Sequence, residues 1–452
     1  MQNEKSTSLK GAQAGCECGQ HRSQELHDQA KIGLSSSEQI YGEYVQEALL
    51  QAIIPDAKQR RLLLKSVGLG ALVGALSEVL PISTAVAMAA DSKNVPEKKS
   101  VSIGFLPITC STPILLGEIL GLYEKQNLNV KLNKAAGWPV LKDKTVGGEF
   151  DASHMLAPMA LGSRFGLGGT ATALVTPLLE NLNGSSLVLA TKHKQNRDPK
   201  SWKGMKFAVP SDLSVQNLLL REFLVKNGIN PESDVQIKPM APPEMMSSLK
   251  SNSIDGFMGA EPFGQRAVHD GIGFIQLLSA ELWDGHPCCV FTMNERILRD
   301  APNTFAALFR CIIEATRYTD KAENWPNVIS ALSAPEYLNQ PSTVIEQVLT
   351  GKYADGLANN KTFQRRVVFE PFPFQSMAVW ILAELKRWGY IKKDVNYNQI
   401  SESVFLATEA RKYMLDLGLR PGKQNSRKHL IMGKEFDAEN VSKYLELLPP
   451  IK

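Results

Sequence analysis

The side chains best equipped for chemistry fall in one short run, His286-Pro287-Cys288-Cys289. An imidazole beside two thiols suits a metal ion or redox chemistry. Tandem cysteines can also close on each other as a strained disulfide, or one of them can pair elsewhere. Cys110 and Cys311 read as core residues, a common role for free cysteine. A second group, Cys16-Glu17-Cys18 with His21, has two cysteines one residue apart. That spacing does not match zinc sites, and the group reads as a solvated segment. Asp284 and His286 form a pair that is common by chance. No nucleophile elbow, phosphate-loop glycine pattern or zinc motif occurs. Enzyme chemistry is therefore not expected, and neither is a cofactor or a bound metal.

The chain that must position these groups has 452 residues, 43% of them hydrophobic and 21% charged. This is enough for a sizeable core and for two or three domains or one two-lobed unit. The net charge of +4 lacks the concentrated basic stripe that nucleic acid demands. Six cysteines at irregular spacing are no disulfide framework.

The first ninety residues differ from the rest. Residues 1–57 are polar and lack a strong period, which predicts a disordered leader with one short helix near 37–52. Arg60-Arg61-Leu62-Leu63-Leu64-Lys65 then opens an apolar run that ends in Ala85-Val86-Ala87-Met88-Ala89-Ala90. A charged start, a short apolar stretch and a small-residue exit form an export signal over 58–90. The paired arginines resemble the twin-arginine motif. Glu78 interrupts a run already short for a membrane span. A mature chain would begin near Ala90, without Cys16 and Cys18.

From residue 101, strand patterns alternate with helical ones. Residues 101–106 read as a strand, 114–123 as a helix and 128–132 as a strand. Further strands are predicted at 185–189, 206–209, 235–238, 254–258, 274–278 and 289–292, with helices at 140–147, 214–227 and 242–252. Repeated strand–helix–strand units imply parallel sheets and an α/β fold. From 294 to about 418 helical periodicity dominates, as in 304–324 and 376–389. Residues 423–452 show little regular pattern.

The ordered set of motifs resembles the nitrate- and bicarbonate-binding proteins of ABC importers. It comprises Ile103-Gly104-Phe105-Leu106-Pro107-Ile108-Thr109, Gly137-Trp138-Pro139-Val140-Leu141-Lys142-Asp143 and Asp151-Ala152-Ser153-His154-Met155-Leu156-Ala157-Pro158-Met159. Pro242-Pro243-Glu244-Met245, Ile254-Asp255-Gly256-Phe257, Glu261-Pro262, Glu281-Leu282-Trp283, His286-Pro287 and Arg387-Trp388-Gly389-Tyr390 follow at matching spacing. The resemblance implies a two-lobed periplasmic-binding-protein fold of type II with helical C-terminal additions. Lobe 1 would hold 101–190 and return in 290–452, and lobe 2 would hold 191–289. It implies a role outside the cytoplasm, periplasmic or held at the inner membrane, as a monomer serving permease and ATPase subunits.

The resemblance also implies a ligand set. A small oxyanion needs directed donors and a neutralising cation. Trp138 would offer its indole N–H. Asn183 and Ser185 lie in the loop Asn183-Gly184-Ser185, where the family typically has a glutamine. Gln216 aligns with a family histidine, and Glu261 occupies the Glu-Pro position, fit to orient neighbours or bind a cation. Cys289 stands where nitrate-binding members carry a lysine. Losing that charge-assisted bond costs about 1.5–3 kcal/mol, unless Lys142, Lys144 or a protonated His154 compensates. Nitrate leads as cargo. Bicarbonate with an assisting metal, a sulfonate, a small organic nitrogen compound or a non-transport nitrate-sensor role are the alternatives.

Overall fold

The computed structural model describes residues 95–450. The expected leader at 1–57 and twin-arginine-like signal at 58–90 lie outside the described residues.

Two sheets organise the chain. The first is built from β1 (Ser100–Phe105), β2 (Asn129–Lys134), β3 (Ala152–Leu156), β4 (Leu174–Asn183), and a later strand that closes against it. The second is built from β5 (Ser185–Ala190), β6 (Lys206–Val209), β7 (Gln236–Pro239), β8 (Gly256–Ala260) and β9 (Gly273–Leu278). The chain then returns to the first sheet with β10 (Pro287–Asn294). Two short hairpins follow, β11 (Lys352–Ala354) with β12 (Asn360–Thr362) and, near the end, β14 (His429–Ile431) with β15 (Lys434–Phe436). Between them β13 (Val367–Val368) edges the first sheet. The strand orders are β13-β4-β10-β3-β1-β2 and β7-β6-β8-β5-β9. In each sheet the first βαβ unit is parallel, β2-β1-β3 and β7-β6-β8, and the strand that arrives from the other sheet, β10 and β5 respectively, runs antiparallel to it. The crossings are β4 to β5 and β9 to β10, the two-crossover architecture that the motif order implied.

The first crossing is one residue long, Gly184, ahead of the expected boundary at 190. The chain turns there because Asn183 and Gly184 both hold positive φ, 61° and 76°, a region open to Gly and tolerated by Asn. A Cβ on Gly184 would stand 2.7 Å from Asn181 Nδ2 and 3.3 Å from Val367. In the centre of β1, Gly104 is required for a different reason. A Cβ there would meet Phe150 at 2.5 Å and Leu141 at 2.7 Å, so the helix after β2 packs directly on strand backbone.

Helices cover both sheets. In chain order those that bear on the site are α1 (Thr112–Ile119), α2 (Trp138–Val146), α3 (Ala157–Ser163), α4 (Val215–Lys226), α5 (Pro242–Lys250), α6 (Phe263–His269), α7 (Pro302–Thr319) and α8 (Gln375–Arg387). Proline sits in the first turn of α1, α2, α3 and α5, where its missing N–H costs nothing. The expected helix at 114–123 is split, because Gly121 at φ 64° stops it. α7 buries Phe305, Leu308, Phe309, Ile312, Ile313 and Thr316, the three-and-four spacing of an amphipathic stripe. A smaller core under the second sheet joins Val188, Met245, Phe257, Ala267 and Ile275.

Two expectations for the C-terminal part are corrected. Residues after 290 do not all belong with the first sheet. The helix Ser342–Thr350 and the β11–β12 hairpin return to the second, with Gln265 Nε2 donating to Gln347 Oε1 at 2.7 Å and Ile275 N–H to Asp355 O at 2.9 Å. Within 423–450 the tail forms the β14–β15 hairpin and a helix Val441–Glu446. Its apolar anchors Ile431, Phe436 and Tyr444 are buried, but too sparse to give a readable period.

Candidate functional site

A fully buried polar cluster lies where the two crossings meet the first sheet. Its residues come from seven elements. β1 runs into a turn whose Thr109-Cys110-Ser111 is fully buried. α2 starts at Trp138, β3 carries His154, and β4 carries Glu180. β5 opens with Ser185, α4 opens with Val215-Gln216, and β10 brings Cys288 and Cys289. Trp138, His154, Glu180, Ser185, Gln216, Cys110, Cys288 and Cys289 are each at most 1% exposed.

Contacts tie these groups into one cluster. The Trp138 ring meets the His154 ring edge-on at 5.2 Å. His154 Nε2 lies 3.6 Å from Glu180 Oε2, too long for a hydrogen bond. Gln216 Nε2 donates to Ser185 Oγ at 2.9 Å and to Cys288 Sγ at 3.2 Å. Cys288 Sγ is 3.6 Å from Ser185 Oγ, 3.6 Å from Cys110 Sγ and 3.8 Å from Cys289 Sγ. Adjacent strand residues ordinarily point to opposite faces. Here the β10 ladder slips between Pro287 and Cys289, a bulge that lets both thiols reach the same cluster.

Several buried polar atoms in the cluster have no hydrogen-bond partner among the described residues. They are Trp138 Nε1, both nitrogens of His154, both oxygens of Glu180 and Gln216 Oε1, with Thr109 Oγ1 next to Cys110 in the chain. Each such group costs about 1–3 kcal/mol when left bare, so a cluster of them is built to meet something else. Turning the Gln216 amide over would aim its NH₂ inward and let its oxygen accept from Ser185 and Cys288. α4 adds the positive end of its dipole beside Gln216.

Burial sets the charge. It pulls the His154 imidazole down to about 3 and pushes the Glu180 carboxyl well above the usual carboxylate range. The two are therefore a neutral imidazole and a protonated acid rather than an ion pair. Burial likewise raises the Cys110 and Cys289 thiols. The Cys110 thiol, then that of Cys289, bonds to Cys288 and lowers it. None of the three expected substitutes for the missing lysine supplies a fixed cation. Lys142 Nζ is tied to the carbonyls of Gly168 and Leu167. Lys144 pairs with Glu149 at 2.5 Å, and His154 is neutral.

Of the residues expected to meet a ligand, Trp138, Ser185, Gln216 and Cys289 come together. Asn183 and Glu261 do not. Asn183 is a clip at the crossing: its Nδ2 donates to Asp284 Oδ1 at 3.0 Å and Arg365 O at 2.8 Å, and its Oδ1 accepts from Gly285 N–H at 2.8 Å. Glu261 is paired with Arg366 and accepts from Gln265 N–H at 3.0 Å. The residues not foreseen as ligands are Cys110, Glu180 and Cys288, together with His154 in its neutral form. Contacts across the lobes enclose the cluster. Thr109 N–H donates to Glu261 O at 2.8 Å, Asn217 Nδ2 to Tyr390 Oη at 2.9 Å, and Arg387 pairs with Glu222.

Residues 94–333, more than half of the chain, match the NMT1-like family model. The chain belongs to this family. Among its relatives is the nitrate/nitrite binding protein NrtA of Nostoc sp. (strain PCC 7120), 28% identical over 398 residues, which are 81% of this chain and 90% of that protein. The nitrate import ATP-binding protein NrtC of Synechocystis sp. is 30% identical over 330 residues, 68% of this chain; the chain spans 49% of that longer protein. In three dimensions the family member matches the periplasmic nitrate-binding protein NrtA from Synechocystis PCC 6803 with a TM-score of 0.77 at 25% identity. That match covers 79% of this chain and 100% of the other. The alkanesulfonate-binding protein SsuA from Xanthomonas axonopodis pv. citri shares the fold at a TM-score of 0.53 and 14% identity, over 69% of this chain and 98% of that one.

Proposed function

We propose that this chain is the solute-binding component of an ABC importer and that it holds a small oxyanion of the nitrate class at the polar cluster between its lobes. One observation carries the reading: on both lobes buried polar atoms lack partners, those of Trp138, His154 and Glu180 on one side and Gln216 Oε1 on the other. An indole N–H, an imidazole N–H, a protonated carboxyl and a turned amide are all donors, and a planar oxyanion is all acceptor. Donors from two bodies bind the anion best when the lobes are shut, so binding and closure favour each other. The relatives named for nitrate and nitrite binding, and those named as import ATPases, support the cargo class and an ATPase partner.

The same reading places the chain outside the cytoplasm, delivered by residues 58–90 as a twin-arginine-like signal. No helix among the described residues is long and apolar enough to cross a membrane. Fractionation with mass analysis of the N-terminus checks this, and a full-length cytosolic product would sink it.

The cargo is tested by thermal unfolding against nitrate, nitrite, bicarbonate with and without calcium, cyanate and small sulfonates. A ligand that binds only the folded chain raises the midpoint with its concentration. A shift with nitrate or nitrite alone supports the proposal. A shift confined to bicarbonate or a sulfonate reassigns the cargo, and no shift with any anion removes the reading.

A further inference from the structure

We propose that Cys110, His154 and Cys289, with Cys288 at their side, form a binding site for a thiophilic metal ion, Zn²⁺ being the best fit. The residues come from β1's following turn, β3 and β10, far apart in the chain, yet one ligand atom from each of the three lies within 4.8 Å of both others. A tetrahedral ion with Zn–S bonds of about 2.3 Å puts its sulfur ligands about 3.8 Å apart. Cys288 Sγ, beside this set, stands at such spacing, 3.6 Å from Cys110 Sγ and 3.8 Å from Cys289 Sγ. Sulfur and imidazole donors select zinc or monovalent copper over magnesium or calcium, which want oxygen.

Three further observations favour a metal over an inert thiol pack. Both ring nitrogens of His154 lack partners although the residue is fully buried, so one is free to coordinate. The bulge in β10 spends a ladder position to bring Cys288 and Cys289 to the same cluster. And all three candidate ligands, with Cys288 beside them, belong to the first sheet and its turn, so the set does not depend on lobe closure to exist. Binding would displace the thiol protons, since thiolate is the ligand. This reverses the expectation of no metal drawn from sequence, where the cysteines are too far apart to read as a motif. An ion here would also place positive charge where the resembled nitrate binders carry a lysine. That consequence rests on the oxyanion reading, whereas the metal site itself does not.

The test uses the full chain, reduced and stripped with a chelator, with Co²⁺ as spectroscopic probe and Zn²⁺ as competitor. We expect a near-ultraviolet thiolate-to-cobalt band with the intense visible bands of a tetrahedral ion, saturating at one ion per chain and bleached by Zn²⁺. Cys110→Ser and Cys289→Ser should each weaken Zn²⁺ at least about tenfold, since even partners outside the coordination shell cost that much. Cys311→Ser should not, because that thiol lies on α7 and donates to Leu122 O at 3.2 Å. Folding of each variant is followed by far-ultraviolet circular dichroism. The wild-type spectrum keeps the idea falsifiable if a variant does not fold. The absence of the thiolate band in reduced wild type, or an unchanged affinity in folded Cys110→Ser and Cys289→Ser, would overturn the proposal.

Discussion

The guanidinium of Arg366 lies 2.5 Å from the carboxylate of Glu261, and neither side chain is exposed to solvent. Arg366 belongs to the segment that leads into β13 on the first sheet, and Glu261 follows the last residue of β8 in the second. The pair is enclosed further by Gln265 Oε1, which accepts from Arg366 Nη1 at 2.7 Å, and by the Tyr353 ring, 4.4 Å from the guanidinium. Arg366 O also accepts from Gly184 N–H at 2.8 Å. The ion pair thus locks a third chain segment against the crossing.

Breaking such a pair from one side strands a buried charge. Glu261→Gln should lower unfolding stability by about 3–5 kcal/mol, read as a drop in the urea midpoint. A loss below about 1 kcal/mol would mean that the pair is solvated or redundant. The variant separates this structural role from the ligand role that the Glu-Pro position suggested.

Gly184→Ala forces a Cβ into a left-handed residue that already faces Asn181 and Val367. The backbone term alone is about 1–2 kcal/mol. We expect a lower melting temperature and a weaker anion-induced shift, because the crossing aims Ser185. An unchanged melting temperature would show that the crossing relaxes freely.

Trp138→Phe keeps an aromatic ring against His154 and removes the unpaired N–H together with part of the ring volume. If that N–H meets an anion, about 1.5–3 kcal/mol is lost, or roughly ten- to a hundred-fold in affinity. Isothermal titration with the active anion checks it, and an unchanged affinity takes Trp138 out of the ligand shell.

Acid should destabilise the fold through His429. This imidazole is bonded to Ser376 Oγ at 2.9 Å and lies edge-on to Trp283 at 5.1 Å. Burial, helped by the Arg427 charge, pulls it down to about 3. The unfolded chain takes up this proton near pH 6.5 and the folded chain only near 3. Stability is therefore full above 6.5 and is lost as pH falls between the two values. At pH 5 the loss is about 2 kcal/mol. Urea midpoints at pH 5 and 7 should converge in His429→Gln, apart from the slope due to other buried histidines. An identical slope in the variant would contradict this assignment.

The alternating elements of both lobes were legible because their periods are local: β5 and β8 are continuous apolar runs, and α4 starts on a serine cap, Ser214, accepting from Asn217 N–H. β4 was not. All ten of its residues are buried, but Thr176, Pro177, Glu180, Asn181 and Asn183 erase any strand pattern. Glu180 was lost with it, since nothing local marks a carboxyl destined to be buried and neutral. Trp138 was legible from its Gly-Trp-Pro helix start. Cys110 and Cys288 are 178 positions apart, and only the sheet order, β10 beside β3 and β3 beside β1, brings them together. Asn183 and Glu261 were expected in the ligand shell because their motifs border the cleft. The chain uses them instead to hold the border in place.

The single-residue crossing at Gly184 leaves the lobes no slack. A tether that short would let the lobes swing more readily than slide. Ser185, with Cys288 3.6 Å from it, sits next to the tether. Asn217 to Tyr390 and Lys226 Nζ to Met432 O at 2.9 Å are further contacts that a swing would have to break. Under the proposed role the molecule would work as a lever: a small gain around a ligand would be magnified at the rim, where a second protein could feel it without touching the cargo.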